Sequence, residues 1–213
     1  QKYLVPLARG EKLWGFGLTE PNAGSDAGNV QTRADLRDGK WVVNGTKAFI
    51  TNSGTEITGG TTITAVTGKR PDGSREISNI IVPQETAGFS RSRKYRKMGW
   101  RASDTRELSF VDAAVPEENL LGARGEGYRQ FLSILDGGRI SVAALSIGLA
   151  LGAYDEALAY SKERHAFGKP ISKFQAISFK LVDMLTQIEH AKLMMLRAAW
   201  EKDRGRDYVA AAS

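Results

Sequence analysis

One repeating pattern in the last third of the chain restricts the fold more than any other feature. Phe174, Ile177, Leu181, Met184, Ile188, Ala191, Met195 and Ala198 follow one another at alternating spacings of three and four. Such a series lies along one stripe of an α-helix and forms the seam of a bundle or coiled coil. Upstream, Phe131, Ile134, Leu135, Val142, Leu145 and Leu149 recur at helical spacing between Tyr128 and about Arg164, which predicts a first long helix. Gly168 and Pro170 break the two apart. The second helix is expected to start near Ser172, where Ser172 and Gln175 have the spacing of a capping box. It should end at "DRGRD", with Gly205 as C-cap. "YVAAAS" then reads as the opening of a third helix. Two helices sharing one seam leave apolar surface uncovered, so a bundle wants further partners. The chain is therefore expected to be a fragment of a longer protein, with dimerisation as the other way to cover those faces.

Before Gly127 the period changes. "GKWVVNGTKAFITN", "TTITAVTG", "ISNIIVP" and "TRELSFVD" are β-rich runs without helical segments between them. Asn44-Gly45 predicts a hairpin turn, and Pro71, Asp72 and Gly73 predict a second turn. Leu108 and Phe110 fall on one strand face, as do Phe49 and Thr51, because side chains repeat every two residues. The absence of crossover helices favours an antiparallel sheet or barrel over βαβ units. The expected fold is multi-domain α+β: an antiparallel, barrel-like middle domain over residues 1–123, with an N-terminal remnant at 1–12, then the first part of a helical bundle over 124–213.

Composition narrows the chemistry. There is no Cys, so disulfides and thiolates are excluded, and His165 and His190 alone make a zinc site unlikely on donor count. Thirty Lys+Arg against 24 Asp+Glu give a net charge of +6. "RSRKYRK", Arg91 to Lys97, concentrates that charge. It suits a solvated loop or attraction to a polyanion, either nucleic acid or a phosphate-rich ligand. No continuous apolar run reaches the roughly 18 residues that span a bilayer, and a soluble, cytoplasmic protein is expected. Glu20 stands where "WGFGLTE" would need the third Gly or Ala of a dinucleotide fingerprint, and no crossover helix follows. P-loop and nucleophile-elbow motifs are missing as well.

Four stretches carry the informative chemistry. In "FGLTEPNAGSD", Gly24 permits close backbone approach and Thr19 and Ser25 add hydroxyls. Such a donor-rich loop suits a flat polar heterocycle or phosphate as well as it suits a plain turn. In "KAFITN", Phe49 and Thr51 offer a ring and a hydroxyl to a stacked planar ligand, or to ordinary packing. In "LDGGRI", Gly137 and Gly138 mark a close helix crossing or an open floor, and Asp136 and Arg139 are i,i+3 ion-pair partners. In "ERHAFGKPISKFQ", Arg164 and Lys169 can hold an anion near a helix start.

Taken in order, "LTEPNAGSD", "WVVNGTKAFITN", "MGWRASDTREL", "VPEENLLG", "GRI", "ERHAFGKPI" and "FQAI" resemble the acyl-CoA dehydrogenase family, its short-chain and short-branched-chain members above all. The resemblance runs from about Leu4 to the end. It implies a β-barrel-like middle domain and the first two helices of the C-terminal bundle, without the N-terminal helical domain and the rest of the bundle. It implies α,β-dehydrogenation of a short or branched acyl-CoA, with FAD taking the hydride at N5 and an electron-transferring flavoprotein taking the electrons. An acyl-CoA oxidase on the same fold, and a flavin-binding homologue with a DNA-binding basic face, are the alternatives; nucleic acid and membrane are not expected as partners. By motif, Phe16, Leu18, Thr19, Gly24 and Ser25 would form one flavin wall, with Ser25 also touching the acyl-CoA. Phe49, Ile50 and Thr51 would cover the flavin. Asp136 and Arg139 would line the CoA side. Arg164, His165, Ala166, Phe174 and Gln175 would hold the FAD of a neighbouring subunit in a homotetramer. Two positions depart from the pattern. Phe49 stands where many members have Trp, and Gly138 stands where one branch carries its catalytic carboxylate. In the other branch that base lies beyond Ser213, so no catalytic base is assigned here, and Glu20, which precedes Pro21, is expected to be structural.

Overall fold

The computed structural model describes residues 2–213. A short helix, α1 (Leu4–Ala8), precedes strands β1 (Leu13–Gly17), β2 (Arg33–Arg37), β3 (Lys40–Thr51), β4 (Thr58–Lys69), β5 (Arg75–Pro83), β6 (Phe89–Arg91) and β7 (Thr105–Pro116). A 3-10 turn, Glu117–Asn119, and β8 (Leu120–Leu121) lead to the long helix α2 (Gly127–Glu163). The hairpin strands β9 (His165–Ala166) and β10 (Lys169–Pro170) and a 3-10 turn, Ile171–Lys173, then lead to α3 (Gln175–Asp203) and the short α4 (Val209–Ala212). The chain divides into two compact units, one ending at Phe131 and one spanning Leu132–Ser213.

The first unit is one open sheet in the order β6-β7-β3-β2-β4-β5-β8, with β1 added on β4. It is mixed rather than wholly antiparallel. β1 runs parallel to the first half of β4, Gly17 opposite Ile63, and β2 meets β4 in parallel at Arg33–Val66. Two N-terminal segments thus share one edge of β4 in succession. Alternation along β3, β4, β5 and β7 sends Trp41, Val43, Ile50, Ile63, Ile80, Val82, Leu108 and Phe110 into a common core.

Asn44-Gly45 is not a hairpin turn. β3 runs straight through it with a bulge between Val43 and Gly45. Gly45 adopts φ 149°, and a Cβ there would lie 2.7 Å from the Thr32 Cα, so only glycine fits. Asn44 instead pairs with Asp112 on β7: its Nδ2 donates to Asp112 Oδ1 (3.0 Å) and its Oδ1 accepts from the Asp112 N–H (2.9 Å). The hairpin lies at Asp38-Gly39, with φ 48° and 72°, the pair of left-handed residues that a type I′ turn requires. The Pro71-Asp72-Gly73 turn is as expected, closed by the Arg70 N–H donating to Ser74 O at 2.8 Å.

α2 begins at Gly127, within the first unit and one residue before the expected Tyr128, and continues into the second. α3 begins at Gln175 rather than near Ser172. Ser172 lies in the 3-10 turn and Phe174 occupies the N-cap with no side-chain cap bond, so the capping box does not form. The C-cap of α3 is Arg204 rather than Gly205, which follows it at φ 66° in the left-handed conformation that ends the helix. Of the α3 seam, Leu181, Ile188 and Ala198 are buried. Val142, Leu149, Val182 and Met194 each remain more than half exposed. No apolar run of α2 is continuous over 18 residues, as expected, but the helix contains an 18-residue window of mean hydropathy 1.5, long and apolar enough by length and composition to cross a bilayer. A continuous apolar run is a stricter requirement than a mean, which tolerates the small residues scattered through α2.

Candidate functional site

The site in the first unit is built where β1 leaves the sheet beside the end of β3. Beyond Gly17 the chain folds into a tight turn, the Glu20 and Ala23 N–H groups each donating to the other's carbonyl at 3.0 and 3.2 Å. The Ala48 N–H donates to Thr19 O at 2.9 Å, so Thr19 is laced to the strand that carries Phe49 and Thr51. The two stretches singled out in the sequence are therefore brought together.

A buried ion pair underlies this junction. Lys47 Nζ donates to Glu20 Oε1 (2.8 Å), Leu18 O (3.2 Å) and Thr64 Oγ1 (3.0 Å), so all three ammonium protons are used. The Glu20 carboxylate also accepts the N–H groups of Gln31 (2.7 Å) and Thr32 (3.1 Å). Burial works to raise the Glu20 pKa, but the Lys47 charge and these hydrogen bonds hold it below the ordinary carboxylate value. Burial pushes Lys47 down to about 8 against the pull of Glu20, which still leaves both groups charged at pH 7. With its oxygens occupied by Lys47 and two backbone donors, Glu20 is structural and presents no free carboxylate.

Above this support the surface is polar and aromatic. The hydroxyls of Thr19, Ser25 and Thr51 make no hydrogen bond to other described residues. Phe49 sits at φ 60°, a conformation costly for a non-glycine residue, and its ring is 67% exposed, touching Tyr95 edge-on at 5.5 Å. The free hydroxyls can donate and accept hydrogen bonds and the exposed ring offers a flat apolar face, so the residues present fit a flavin. A Cβ on Gly24 would meet nothing within 4 Å, so nothing in the fold itself demands glycine there. Phe16 is partly exposed and stacks on Phe131 at 4.0 Å. Leu18 and Ile50 turn their side chains inward, which leaves them only backbone groups to offer.

Sequence reasoning missed a second support. Arg106 donates from Nε to Asp104 Oδ1 (2.9 Å), from Nη1 to Ser92 O (3.1 Å) and from Nη2 to Gly54 O (3.0 Å). It pins the segment that follows Thr51 against β7, where the Asn52 N–H also donates to Asp104 O at 3.0 Å. The sequence signal was slight: in "SDTRE" Arg106 follows Asp104 by two residues at the start of a strand. The basic run is partly consumed by its own loop: Lys94 donates to Arg101 O, and Lys97 to Ser103 O and Thr105 Oγ1. Lys94, Arg96, Lys97 and Arg101, with Tyr95 and Met98, line a cavity of about 520 Å³. Among the described residues no cluster of metal-ligating side chains occurs.

In the second unit, Arg164, His165 and Ala166 lead into the β9–β10 hairpin, whose turn is Phe167-Gly168 at φ 52° and 76°. The Ile171 N–H donates to Arg164 O at 2.8 Å and folds the hairpin back on itself. His165 Nδ1 lies 2.9 Å from Glu163 O, a carbonyl that can only accept, so Nδ1 is the donor in this contact. Lys169 lies over the Phe174 ring at 4.5 Å. Phe174 and Gln175 stand at the start of α3, which places the five predicted residues around one hairpin and helix start. Asp136 and Arg139 form the expected pair at 3.0 Å, and Arg139 also donates to Ser213 Oγ at 3.2 Å. Gly137 and Gly138 differ: a Cβ on Gly137 would crowd Lys202 Nζ at 2.7 Å, while Gly138 faces open space.

Comparison with known proteins identifies the family. The profile of the acyl-CoA dehydrogenase middle domain matches residues 15–113, and that of the acyl-CoA dehydrogenase C-terminal domain matches residues 125–213. The chain belongs to the acyl-CoA dehydrogenase family. It is 52% identical over its whole length to the probable acyl-CoA dehydrogenase YngJ of Bacillus subtilis, covering 56% of that protein. Butyryl-CoA dehydrogenase from Megasphaera elsdenii superposes with a TM-score of 0.92 at 45% identity, over 99% of this chain and 55% of that one. A chain in the structure of the electron transferring flavoprotein of Acidaminococcus fermentans matches at TM-score 0.93 and 46% identity, over 100% and 55%. The chain spans about half the length of the relatives it matches.

Proposed function

We propose that this chain is the middle and bundle portion of an FAD-dependent dehydrogenase of short or branched acyl-CoA thioesters. The observation that carries the reading is the junction of Thr19 with Phe49 and Thr51, an exposed ring and unpartnered hydroxyls on a rigid support, within a fold shared with a butyryl-CoA dehydrogenase. Thr19 would hold the polar edge of the isoalloxazine, Phe49 would cover it, and the Thr51 hydroxyl would bond near N5. When bound, FAD supplies the acceptor for the β-hydride at N5. Ser25 would stand between cofactor and thioester, and Asp136 and Arg139 would line the CoA side. Arg164, His165, Ala166, Phe174 and Gln175 would grip the FAD of a neighbouring subunit, in which case cofactor binding requires oligomerisation, as a homotetramer. The loss of the capping box supports this last assignment, because Gln175 then has no local role. Electrons would pass to an electron-transferring flavoprotein, and the α-proton would be removed by a carboxylate outside this chain, since Glu20 is committed to Lys47.

The test uses the full-length protein, offered butyryl-, isobutyryl- and isovaleryl-CoA with a dye acceptor. Anaerobic bleaching of the flavin by at least one thioester is expected, and bleaching by none overturns the reading. Reoxidation by O₂ as fast as by the dye would favour the oxidase alternative.

A further inference from the structure

Lys47 does more than neutralise Glu20. Its ammonium also takes Leu18 O at 3.2 Å, and this contact fixes a peptide plane. In a planar trans peptide the C=O and the following N–H point in opposite directions. Turning Leu18 C=O inward to Lys47 therefore turns the Thr19 N–H away from it. The next peptide is locked as well, because Thr19 O accepts the Ala48 N–H and the Glu20 N–H donates to Ala23 O. Among the described residues the Thr19 N–H has no acceptor. One unpaired backbone donor thus stands at the residue that carries one of the free hydroxyls, and its direction is set by a side chain that is itself fully buried.

We propose that Lys47 is a positioning residue for the cofactor: by holding the Leu18 carbonyl it aims the Thr19 N–H at the polar edge of the flavin. The inference rests on the flavin reading above. Glu20 shares the ion pair but not this task, because the Lys47–Leu18 contact does not pass through its carboxylate. The two residues can therefore be separated experimentally.

In the full-length flavoprotein, Glu20→Gln leaves Lys47 Nζ in place as an N–H donor to Leu18 O, whether as ammonium or as amine, whereas Glu20→Gln with Lys47→Met removes that donor without leaving one partner of the ion pair buried alone, the arrangement that folded proteins tolerate best. Glu20→Gln should lower stability yet hold FAD within about twofold of wild type and leave its visible absorption unchanged. The double variant should hold FAD about tenfold more weakly, the loss expected for one hydrogen bond, with displaced absorption maxima. A double variant indistinguishable from Glu20→Gln, or a Glu20→Gln variant with equally displaced maxima, overturns the proposal. Hydrogen exchange at the Thr19 amide supplies an arm that needs no variant. Protection that disappears when FAD is removed supports the assignment, and fast exchange in the loaded protein overturns it. Wild-type protein without any flavin would sink the flavin reading itself, whereas flavin bound alike by wild type and double variant would sink only the role of Lys47.

Discussion

Gly54 gives the sharpest test of how the segment after Thr51 is held. A Cβ built on Gly54 would overlap the Arg106 side chain, while its backbone conformation is one that alanine adopts freely. Gly54→Ala should therefore push the guanidinium off Gly54 O and weaken its hold on Asp104, costing about 2–3 kcal/mol, in the range of an overpacked site that also loses hydrogen bonds. Arg106→Ala removes three hydrogen bonds and leaves Asp104 buried without its cation, at about 3 kcal/mol. In the double variant the obstruction is gone, so Ala at 54 should cost less than about 0.5 kcal/mol beyond Arg106→Ala alone. The expected coupling is about 2 kcal/mol, read from urea denaturation of the four proteins followed by tryptophan fluorescence. Strict additivity would refute the claim that Arg106 sets the position of this segment.

Other consequences are simpler to measure. The Glu20 carboxylate is depressed in the fold, so the stability it contributes is full above its unfolded value near 4.5 and drains away as the pH falls through the lower folded value. Glu20→Gln should flatten the acid side of the stability profile, and an unchanged slope between pH 5 and pH 3 would contradict the linkage. Gly45→Ala should cost about 3 kcal/mol or more in urea midpoint terms, since both φ 149° and the Thr32 backbone oppose a Cβ; a cost under 1 kcal/mol would show that the bulge relaxes. Thr51→Val in the full-length flavoprotein should displace the flavin spectrum or potential, and an identical spectrum removes the proposed hydroxyl contact.

Much of this molecule is legible in its sequence because the relevant signals are local. The α3 seam and the change of period near Gly127 follow from neighbouring residues alone, whereas the alternation expected to pair Phe49 with Thr51 is interrupted by the register shift between Lys47 and Ile50 and by Phe49 at φ 60°. What escaped was nonlocal. Asn44-Gly45 has the composition of a hairpin, but Asp112 across the sheet satisfies Asn44, and Thr32 beside Gly45 makes glycine necessary within a strand. Asp38-Gly39 carries the same signal and does form the turn, so dipeptide chemistry could not choose between the two. The parallel contacts of β1 and β2 with β4 lie many residues apart in sequence and leave no periodic trace. α1 is too short, and carries Pro6, to show a helical pattern. Ser172 and Gln175 had the spacing of a cap, but the 3-10 turn at Ile171–Lys173 displaced the helix start. Within the site, the exposed residues were legible as chemistry. Lys47 and Arg106, which hold them, have partners distant in the sequence or in the backbone, and little in their own neighbourhood sets them apart from other Lys and Arg residues.

The succession of β1 and β2 along one edge of β4 has a thermodynamic corollary. Gly17 lies opposite Ile63 and Arg33 opposite Val66, so segment 18–32 leaves and rejoins the same strand within about 10 Å. It is an Ω-loop whose ends are stapled by the sheet itself. Its chain entropy is surrendered when the domain folds, not when a ligand arrives, and the Glu20–Lys47 pair fixes it from beneath. A ligand at Thr19 and Ser25 would meet a preorganised surface and retain more of its gross interaction energy as affinity. Binding there should leave the loop backbone in place, and its heat signature should lack the large entropic penalty of coupled folding.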